Sequence, residues 1–317
     1  MIIINDKPGL LCNRLWAYSF FIAYAQKHNR KIYIPHFREY RSYFNDLSVI
    51  PDVYFHNIEK YPHIDALSFH FYVFLTKVLR VISMFVNLAR LRIYIDSKNW
   101  TREQWPEAVM RQNKTILFLG SWLHPKDVSA LLEAKHRIIR LFEPKHLYRE
   151  RIDQLFSNVR GHCDVLIGVH IRRTDYKDFH SGVYYYKDDI YKRYMTIILK
   201  LFRDRHVCFY IASDSPIDAS QYHEFDKVHL RNPEMIEDLY ALSRCDYIMG
   251  PPSTFSMWAS FVGDVPLRIL RYKDEKITLG QFSPILYQNV FRNGEQFHHI
   301  DNQDETSLHE KSLEGYL

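Results

Sequence analysis

The stretch that most constrains the fold of this 317-residue chain is residues 165–176, VLIGVHIRRTDY. Its first seven residues are almost continuously apolar, which is typical of a parallel β-strand that is covered on both faces. Gly168 interrupts this run and predicts a point where another backbone segment approaches the strand closely. Because charged residues follow the strand at once, the sequence predicts an open α/β sheet whose carboxyl edge binds a ligand.

Four polar side chains, His170, Arg172, Arg173 and Asp175, lie together at the end of this predicted strand. An arginine fork can bind phosphate oxygens through two parallel hydrogen bonds, and it keeps its charge at physiological pH. The carboxylate of Asp175 is suited to orienting a guanidinium rather than to contacting a phosphate. A surface cluster of arginine and aspartate is the alternative interpretation, and the strand context favours the ligand site.

Residues 170–175, His-Ile-Arg-Arg-Thr-Asp, resemble the His-x-Arg-Arg-x-Asp motif of the fucosyltransferase superfamily, which includes the α1,2-, α1,6- and protein O-fucosyltransferases. The resemblance implies a GT-B-like α/β fold in which two Rossmann-type domains face a cleft. It implies catalytic roles for Arg172, which would neutralise the leaving β-phosphate, and for Arg173 and Asp175, which would fix the geometry of that site. His170 would add a hydrogen-bond donor to the donor-binding site.

Two further acidic residues, both in the second half of the chain, lie in segments that resemble motifs of the same superfamily. Asp214 lies in Ser-Asp-Ser-Pro, which resembles a Ser/Thr-Asp-Asp-Pro segment whose second aspartate is replaced here by Ser215. The resemblance places Asp238 at the guanine base, where a carboxylate can accept from N1–H and the 2-amino group together. A simple Asx turn at Asp214 and a surface acid on a helix at Asp238 remain the alternatives.

The segment 251–256, Pro-Pro-Ser-Thr-Phe-Ser, predicts the start of a helix, because the prolines stop any preceding helix and Ser253 or Thr254 can cap the next one. The free backbone N–H groups of a helix start form an anion site. The segment resembles the Ser/Thr-Phe-Ser motif of the superfamily, which implies donor-binding roles for Ser253, Thr254, Phe255 and Ser256. Together with Asp238-Leu-Tyr it is most similar to the bacterial-type α1,2-fucosyltransferases.

Near the amino terminus, a turn at Gly9 leads into a predicted helix that continues to about residue 28, with Asn13 and Arg14 at its start. This resembles the Gly-x-x-x-Asn-Arg loop of the superfamily, which implies donor-binding roles for Asn13 and Arg14. A capped turn with a solvated arginine is the alternative. The resemblance places any acceptor base in the first domain, where the candidates are Asp6, Glu39 and Asp46.

Strand and helix patterns alternate along the chain, which predicts two domains, at residues 1–150 and at residues 151–317 with a polar carboxyl-terminal tail. The resemblance implies that the first is the acceptor-side domain and that the second binds the GDP-sugar. Strands are predicted at 1–5, 31–35, 115–119, 207–212, 227–230, 247–249 and 266–270. Helices are predicted at 127–142, 146–158, 188–203 and 234–245. Residues 36–65 show no period and predict a long loop or short helices.

The helical stretch 68–91 is the most hydrophobic part of the chain, although Lys77, Arg80 and Arg90 interrupt it. These charges make it a poor membrane span. A helix in the core and an amphipathic helix that rests on a membrane surface are both consistent with the pattern. The latter would give the protein a peripheral membrane contact through these residues.

Composition and charge narrow the class of ligand. The net charge of +5 and the isoelectric point near 8.8 suit a phosphate-bearing ligand such as a GDP-sugar. No nucleic-acid-binding motif accompanies them, so nucleic acid is not predicted as a partner. Four cysteines without a CxxC pair indicate a reducing, cytoplasmic location. Because the chain lacks an Asp-x-Asp metal signature, arginine is expected to replace a metal at the phosphates and no cofactor is predicted.

The resemblance to the fucosyltransferase superfamily therefore implies an inverting enzyme that transfers L-fucose from GDP-fucose to a hydroxyl of a glycan acceptor, in α1,2 linkage, without a metal. Two alternatives remain open at this stage. One is a transferase that uses another GDP-sugar, because the motifs indicate GDP more plainly than fucose. The other is a nucleotide- or glycan-binding protein without turnover.

Overall fold

The computed structural model describes residues 1–4, 7–56, 62–85, 93–95, 116–119, 127–230, 232–287 and 290–291. The chain divides into two compact units, Met1–Lys145 and His146–Leu317. Within the described residues, each unit is built on a five-stranded sheet in which every strand pair is parallel. The predicted α/β class with parallel sheets is therefore confirmed.

The first unit has the strand order β3-β2-β1-β5-β4. Its strands are β1 (Ile2–Ile4), β2 (Ile32–Ile34), β3 (Val53–Phe55), β4 (Ile93–Ile95) and β5 (Ile116–Leu119), and its helices are α1 (Leu11–Lys27), α2 (Pro62–Phe85) and α3 (Val128–Leu141). The expectation that residues 36–65 lack strands is wrong, because β3 lies there and pairs with β2. Strand β4 was not expected either, and a three-residue strand is too short to show a period of two.

The helix starts of the first unit follow from local chemistry. Asp127 caps α3, because its carboxylate accepts a hydrogen bond of 3.0 Å from the backbone N–H of Ala130, as its position in the sequence predicts. Helix α1 follows a turn in which Gly9 has a φ of +45°. A side chain at Gly9 would meet the amide of Asn13, so glycine is needed both for the backbone conformation and for this close contact.

Helix α2 begins earlier than the sequence predicts, because Pro62 is favourable at the first turn of a helix. Residues 86–92 of the predicted helix lie outside the described residues. Large apolar side chains of α2 are exposed to solvent: Leu67, Phe71, Phe74, Leu75, Val81, Ile82 and Phe85. A core helix is therefore the wrong interpretation for this face. Among the described helices, none is long and apolar enough to cross a membrane.

The second unit has the strand order β10-β9-β6-β7-β8, which places the apolar run of the sequence in the centre of the sheet. Its strands are β6 (Val165–Ile171), β7 (Val207–Ser213), β8 (Lys227–Val228), β9 (Tyr247–Gly250) and β10 (Leu267–Ile269), and its helices are α4 (His146–Arg160), α5 (Asp188–Leu201), α6 (Met235–Leu242) and α7 (Thr254–Gly263). All seven residues of β6 are buried, as expected for a strand covered on both faces. An antiparallel pair, β11 (Ile285–Tyr287) and β12 (Val290–Phe291), was not predicted.

Two glycines let neighbouring atoms approach β6. Gly168 admits the side chains of Leu242 and Cys245 rather than another backbone segment, so that expectation is corrected. Gly250 of β9 is the position where a backbone does come close. A Cβ atom there would lie 2.7 Å from the carbonyl oxygen of His170 and 2.9 Å from its Cβ atom. Gly250 therefore sets the spacing of β6 and β9 where both strands end.

Replacing Gly250 with alanine should destabilise the protein by about 1–3 kcal/mol, because the added methyl group would force the backbone of the buried strand β6 to shift at His170. The measurement is the midpoint of urea unfolding. Gly280→Ala is the matched control, since no heavy atom lies within 4 Å of the Cβ position there. Equal midpoints for the two variants would contradict the close packing at the end of β6.

Candidate active site at the carboxyl edge of the second sheet

Three loops meet at the carboxyl edge of the second sheet, where the adjacent strands β7, β6 and β9 end. The loop after β6 carries Arg172 and Asp175, the loop after β7 carries Asp214, and the loop after β9 leads into α7 through Ser253. In open parallel sheets, this edge is where ligands bind. The structure thus brings together most residues that the sequence predicts for the site.

His170 is the last side chain of β6 on its face before the loop, and it is buried. Its ring lies against the ring of Phe255, with centroids 5.1 Å apart. Burial, assisted by the positive charge of Arg172, lowers the pKa of His170 to about 3, so the ring is neutral at physiological pH. Its Nδ1 atom is buried and has no hydrogen-bond partner among the described residues.

Arg172 is held between two carboxylates. Its Nη2 atom lies 2.9 Å from Asp175 Oδ1, and its Nε atom lies 3.2 Å from Asp214 Oδ2. The guanidinium also lies over the ring of Tyr176, 5.7 Å from its centroid. Asp214 is mostly buried and Asp175 is more than half exposed, so the guanidinium is held by one buried and one exposed carboxylate.

Asp214 connects the loop after β7 to the loop after β6. Its carboxylate accepts from the backbone N–H of Arg173 at 2.9 Å, from that of Thr174 at 3.2 Å and from the Thr174 hydroxyl at 2.6 Å. The turn after β7 is closed by Ser213, which accepts from the N–H of Ser215. An Asx turn therefore does not describe Asp214, whose bonds instead fix the arginine loop.

Arg173 turns away from Arg172 and toward the start of α5. Its Nη2 atom lies 2.5 Å from Asp188 Oδ1, and the hydroxyl of Tyr222 donates to the same oxygen. Asp188 and Tyr222 were not among the residues that the sequence predicts for the site. The acidic pair at residues 188–189 before an apolar helix was the available signal, since acidic residues favour a helix start. These contacts hold Arg173 against the start of α5.

The start of α7 lies beside the arginine loop. Ser253 caps the helix by accepting from the N–H of Phe255 at 3.3 Å, which agrees with the predicted cap, and Thr254 is the first helical residue. Ser256 is fully buried and donates to the carbonyl of Ser253. The hydroxyl of Tyr176 donates to the carbonyl of Pro252, which ties the two loops together.

Asp238 lies on the buried face of α6, so the alternative of a surface acid is wrong. The hydroxyl of Tyr210 on β7 donates to its Oδ1 atom at 2.7 Å, and the backbone N–H of Ser213 donates to the same carboxylate. Burial raises the pKa of Asp238 to about 7, although both hydrogen bonds act in the opposite direction. The carboxylate therefore lies beside the end of β7, where burial favours its neutral form.

The residues predicted in the first unit have protein partners. The guanidinium of Arg14 is buried, donates to the carbonyl oxygens of Gly9 and His36, forms an ion pair with Glu39 and lies over the ring of Tyr40. A solvated arginine is therefore wrong. Asn13 contacts Gly9 at the start of α1.

The other two candidate bases of the first unit differ in how far the structure describes them. Asp46 is exposed and accepts from the N–H of Ser48. Asp6 lies outside the described residues.

Residues 135–269 match the model of glycosyl transferase family 11. This region contains the second sheet and the three loops of the site. No curated protein matches the sequence. The match covers less than half of the chain, and within it this chain is similar to glycosyl transferase family 11.

Two groups of solved structures are similar to this fold. One is a mutant of Arabidopsis thaliana FUT1 in complex with GDP, with a TM-score of 0.55, 13% identity and coverage of 94% of this chain and 76% of that chain. The other is the α1,6-fucosyltransferase NodZ soaked with GDP-fucose, with a TM-score of 0.50, 17% identity and coverage of 85% and 94%. At these identities the likeness shows the fold, which confirms the predicted GT-B-like class.

Replacing Asp238 with asparagine should stabilise the protein more at pH 8 than at pH 5. The folded-state pKa of Asp238 is raised to about 7. The wild-type protein therefore loses stability as pH rises from the unfolded pKa near 4 to about 7, and stays at that lower level above it. Removing the ionisable group removes this loss, which amounts to on the order of 2 kcal/mol between pH 5 and 8.

The measurement is the difference in unfolding free energy between the variant and the wild type at both pH values. Asp204→Asn is the matched control, because this side chain is 88% exposed. The same difference at both pH values would contradict the raised pKa of Asp238.

Proposed function

We propose that the protein transfers L-fucose from GDP-fucose to a hydroxyl of a glycan acceptor, with inversion at the anomeric carbon and in α1,2 linkage. The observation that carries this proposal is the placement of Arg172. Its guanidinium lies at the carboxyl edge of a parallel sheet, anchored by Asp214 and beside the start of α7. The match of this region to glycosyl transferase family 11, and the GDP-fucose and GDP named for the similar structures, support the nucleotide-sugar donor.

In this proposal, Arg172 stabilises the negative charge that grows on the β-phosphate as the bond to the sugar breaks. A preorganised charge at that point lowers the barrier without a metal ion. Asp214 holds the Nε atom of the Arg172 guanidinium. A phosphate oxygen can replace the exposed Asp175 as the hydrogen-bond acceptor of Nη2. Arg173 does not contact the phosphate and holds the loop through Asp188.

The donor phosphates would also meet the amino end of α7 and His170. Ser253, Thr254, Phe255 and Ser256 form the first turn of that helix and its cap, where backbone N–H groups favour an anion. A neutral His170 can donate one hydrogen bond without adding a charge.

Asp238 would bind the guanine base. Tyr210 and Ser213 use two of about four acceptor positions of its carboxylate, so two remain for N1–H and the 2-amino group. Because only the ionised form accepts both bonds, guanine binding would lower the pKa of Asp238. The catalytic base that activates the acceptor hydroxyl would come from the first unit.

We also propose that Arg14 and Asn13 of the first unit bind the donor. The guanidinium of Arg14 already contacts Gly9, His36 and Glu39. A contact with the donor would require an exchange of at least one of these partners. Glu39, which is about half exposed, is the partner that can leave most readily.

The experiment that tests the function is incubation of the protein with a panel of GDP-sugars and separate detection of free GDP and of the released sugar. We expect GDP-fucose to be turned over fastest, in buffer with a metal chelator as well as without it. Faster turnover of another GDP-sugar would assign the donor differently. Activity that disappears with chelator and returns with Mn²⁺ or Mg²⁺ would overturn the metal-independent mechanism.

Arg172→Ala should lower turnover on the order of a hundredfold or more, because one preorganised charge is lost from the site. Arg172→Lys should fail to restore it, since an ammonium cannot reproduce the fork. Arg203→Ala is the matched control, because this arginine of the same unit is 83% exposed. If the lysine variant is as active as the wild type, Arg172 does not bind the phosphate through its guanidinium fork.

We also propose that α2 rests on the surface of a membrane on the cytoplasmic side. Its exposed face presents Phe71, Phe74 and Phe85, and an apolar face of this kind binds at the boundary of lipid headgroups and acyl chains. Lys77 is exposed on the same helix and suits anionic lipid. The cytoplasmic location is supported by the four free, buried cysteines.

Replacing both Phe71 and Phe74 with aspartate should abolish sedimentation of the protein with vesicles that contain anionic lipid, because the apolar face would gain two charges. The measurement is the fraction that sediments with vesicles of phosphatidylcholine and phosphatidylserine. Tyr272→Asp, at an equally exposed aromatic residue of the second unit, should sediment as the wild type does. Absence of wild-type binding to these vesicles would contradict the proposal.

A further inference from the structure

We infer that the second unit holds a site for a zinc-like transition-metal ion at the amino edge of its sheet, formed by His162, Cys208 and Asp226. His162 follows the end of α4, Cys208 is the second residue of β7, and Asp226 immediately precedes β8. One nitrogen, one sulfur and one oxygen atom of these side chains lie within 4.8 Å of one another. They are the three ligand types that Zn²⁺ takes in proteins.

The two distances that end at Asp226 Oδ2 fit one tetrahedral ion, and the third pair of ligand atoms lies within 4.8 Å. The Nε2 atom of His162 lies 3.6 Å from Asp226 Oδ2, and the Sγ atom of Cys208 lies 3.5 Å from the same oxygen. Ligand atoms of a tetrahedral zinc site lie about 3.3–3.8 Å apart, because Zn–N and Zn–S bonds of roughly 2.0 and 2.3 Å meet at a tetrahedral angle. Small side-chain rotations therefore suffice to place one ion among the three atoms.

Neighbouring groups hold the ligands in place, as the surroundings of a metal site usually do. His206 Nε2 lies 2.9 Å from Asp226 Oδ2, which is a hydrogen-bond distance and orients the carboxylate. The backbone N–H of His206 donates to Asp164, and the N–H of Asp164 donates to the carbonyl of His206. These two bonds fix the segment that carries His162 against the start of β7.

The trio leaves room for a ligand from solvent. Cys208 is buried and forms the floor of the site, whereas His162 and Asp226 are partly exposed and form its rim. Three protein ligands and a water molecule would complete a four-coordinate ion. When the metal–sulfur bond forms, the Cys208 thiol loses its proton to solvent and the other two ligands bind through lone pairs.

This site is separate from the candidate active site. His162 and Asp226 lie before the strands begin, and Arg172 lies after β6 ends. Seven residues of a strand span about 20 Å, so the ion would lie at the opposite edge of the same sheet. A metal at this distance cannot contact the donor phosphates, and it would instead join α4, β7 and β8.

The test is titration of the metal-free full-length protein with Co²⁺, followed by absorption spectroscopy. Bound thiolate gives a near-ultraviolet charge-transfer band, and we expect one equivalent of Co²⁺ to produce it and one equivalent of Zn²⁺ to remove it. Cys208→Ser should lose the band. Cys245→Ser, at another buried free cysteine of the same unit, should keep it.

Because Cys208 is buried, its substitution can disturb folding, so a second variant tests a ligand at the exposed rim of the site. His162 is about half exposed, so His162→Ala should fold normally and weaken Co²⁺ binding about tenfold or more. His223→Ala, at a mostly exposed histidine of the same unit, should bind Co²⁺ as the wild type does. A charge-transfer band that persists in Cys208→Ser, unchanged affinity in His162→Ala, or absence of the band in the wild type would each overturn the site.

Discussion

The ion pair between Arg172 and Asp214 is the interaction on which the arrangement of the candidate active site depends. One carboxylate from the loop after β7 accepts from the side chain of Arg172 and from the backbone N–H groups of Arg173 and Thr174. These bonds cross between two adjacent strands and fix the arginine loop before any ligand arrives. Charge-assisted bonds in a partly buried place are stronger than the same bonds in water, so the guanidinium is preorganised.

The charges around this pair are balanced in a way that suits a phosphate ligand. His170 is kept neutral by burial, so it does not compete with Arg172 for the nearby carboxylates. Arg173 is neutralised by Asp188 and adds no free positive charge. The phosphate would therefore contact one oriented guanidinium and the amino end of α7. The exposed Asp175 would give up its contact with Arg172 to the phosphate.

The sequence predicts the elements with long apolar patterns and local signals. Strand β6, the cap at Asp127 and the start of α7 at Ser253 lie where their residues predict them. It could not predict contacts between distant segments, such as the bond from Tyr176 to Pro252, 76 residues away. The burial of Asp238 and Arg14 was missed for the same reason, because a charged side chain reveals its partners only in the folded chain.

The claim that this edge of the sheet binds a guanine nucleotide is tested most directly by thermal unfolding with GDP, ADP and UDP at equal concentration. We expect GDP alone to raise the melting temperature of the wild type and of Asp204→Asn, since a ligand at 100 times its dissociation constant adds roughly 2.7 kcal/mol to stability. Asp238→Asn, compared with its own unliganded melting temperature, should lose the shift. An equal response of the wild type to ADP, or a full GDP shift in Asp238→Asn, would contradict the account.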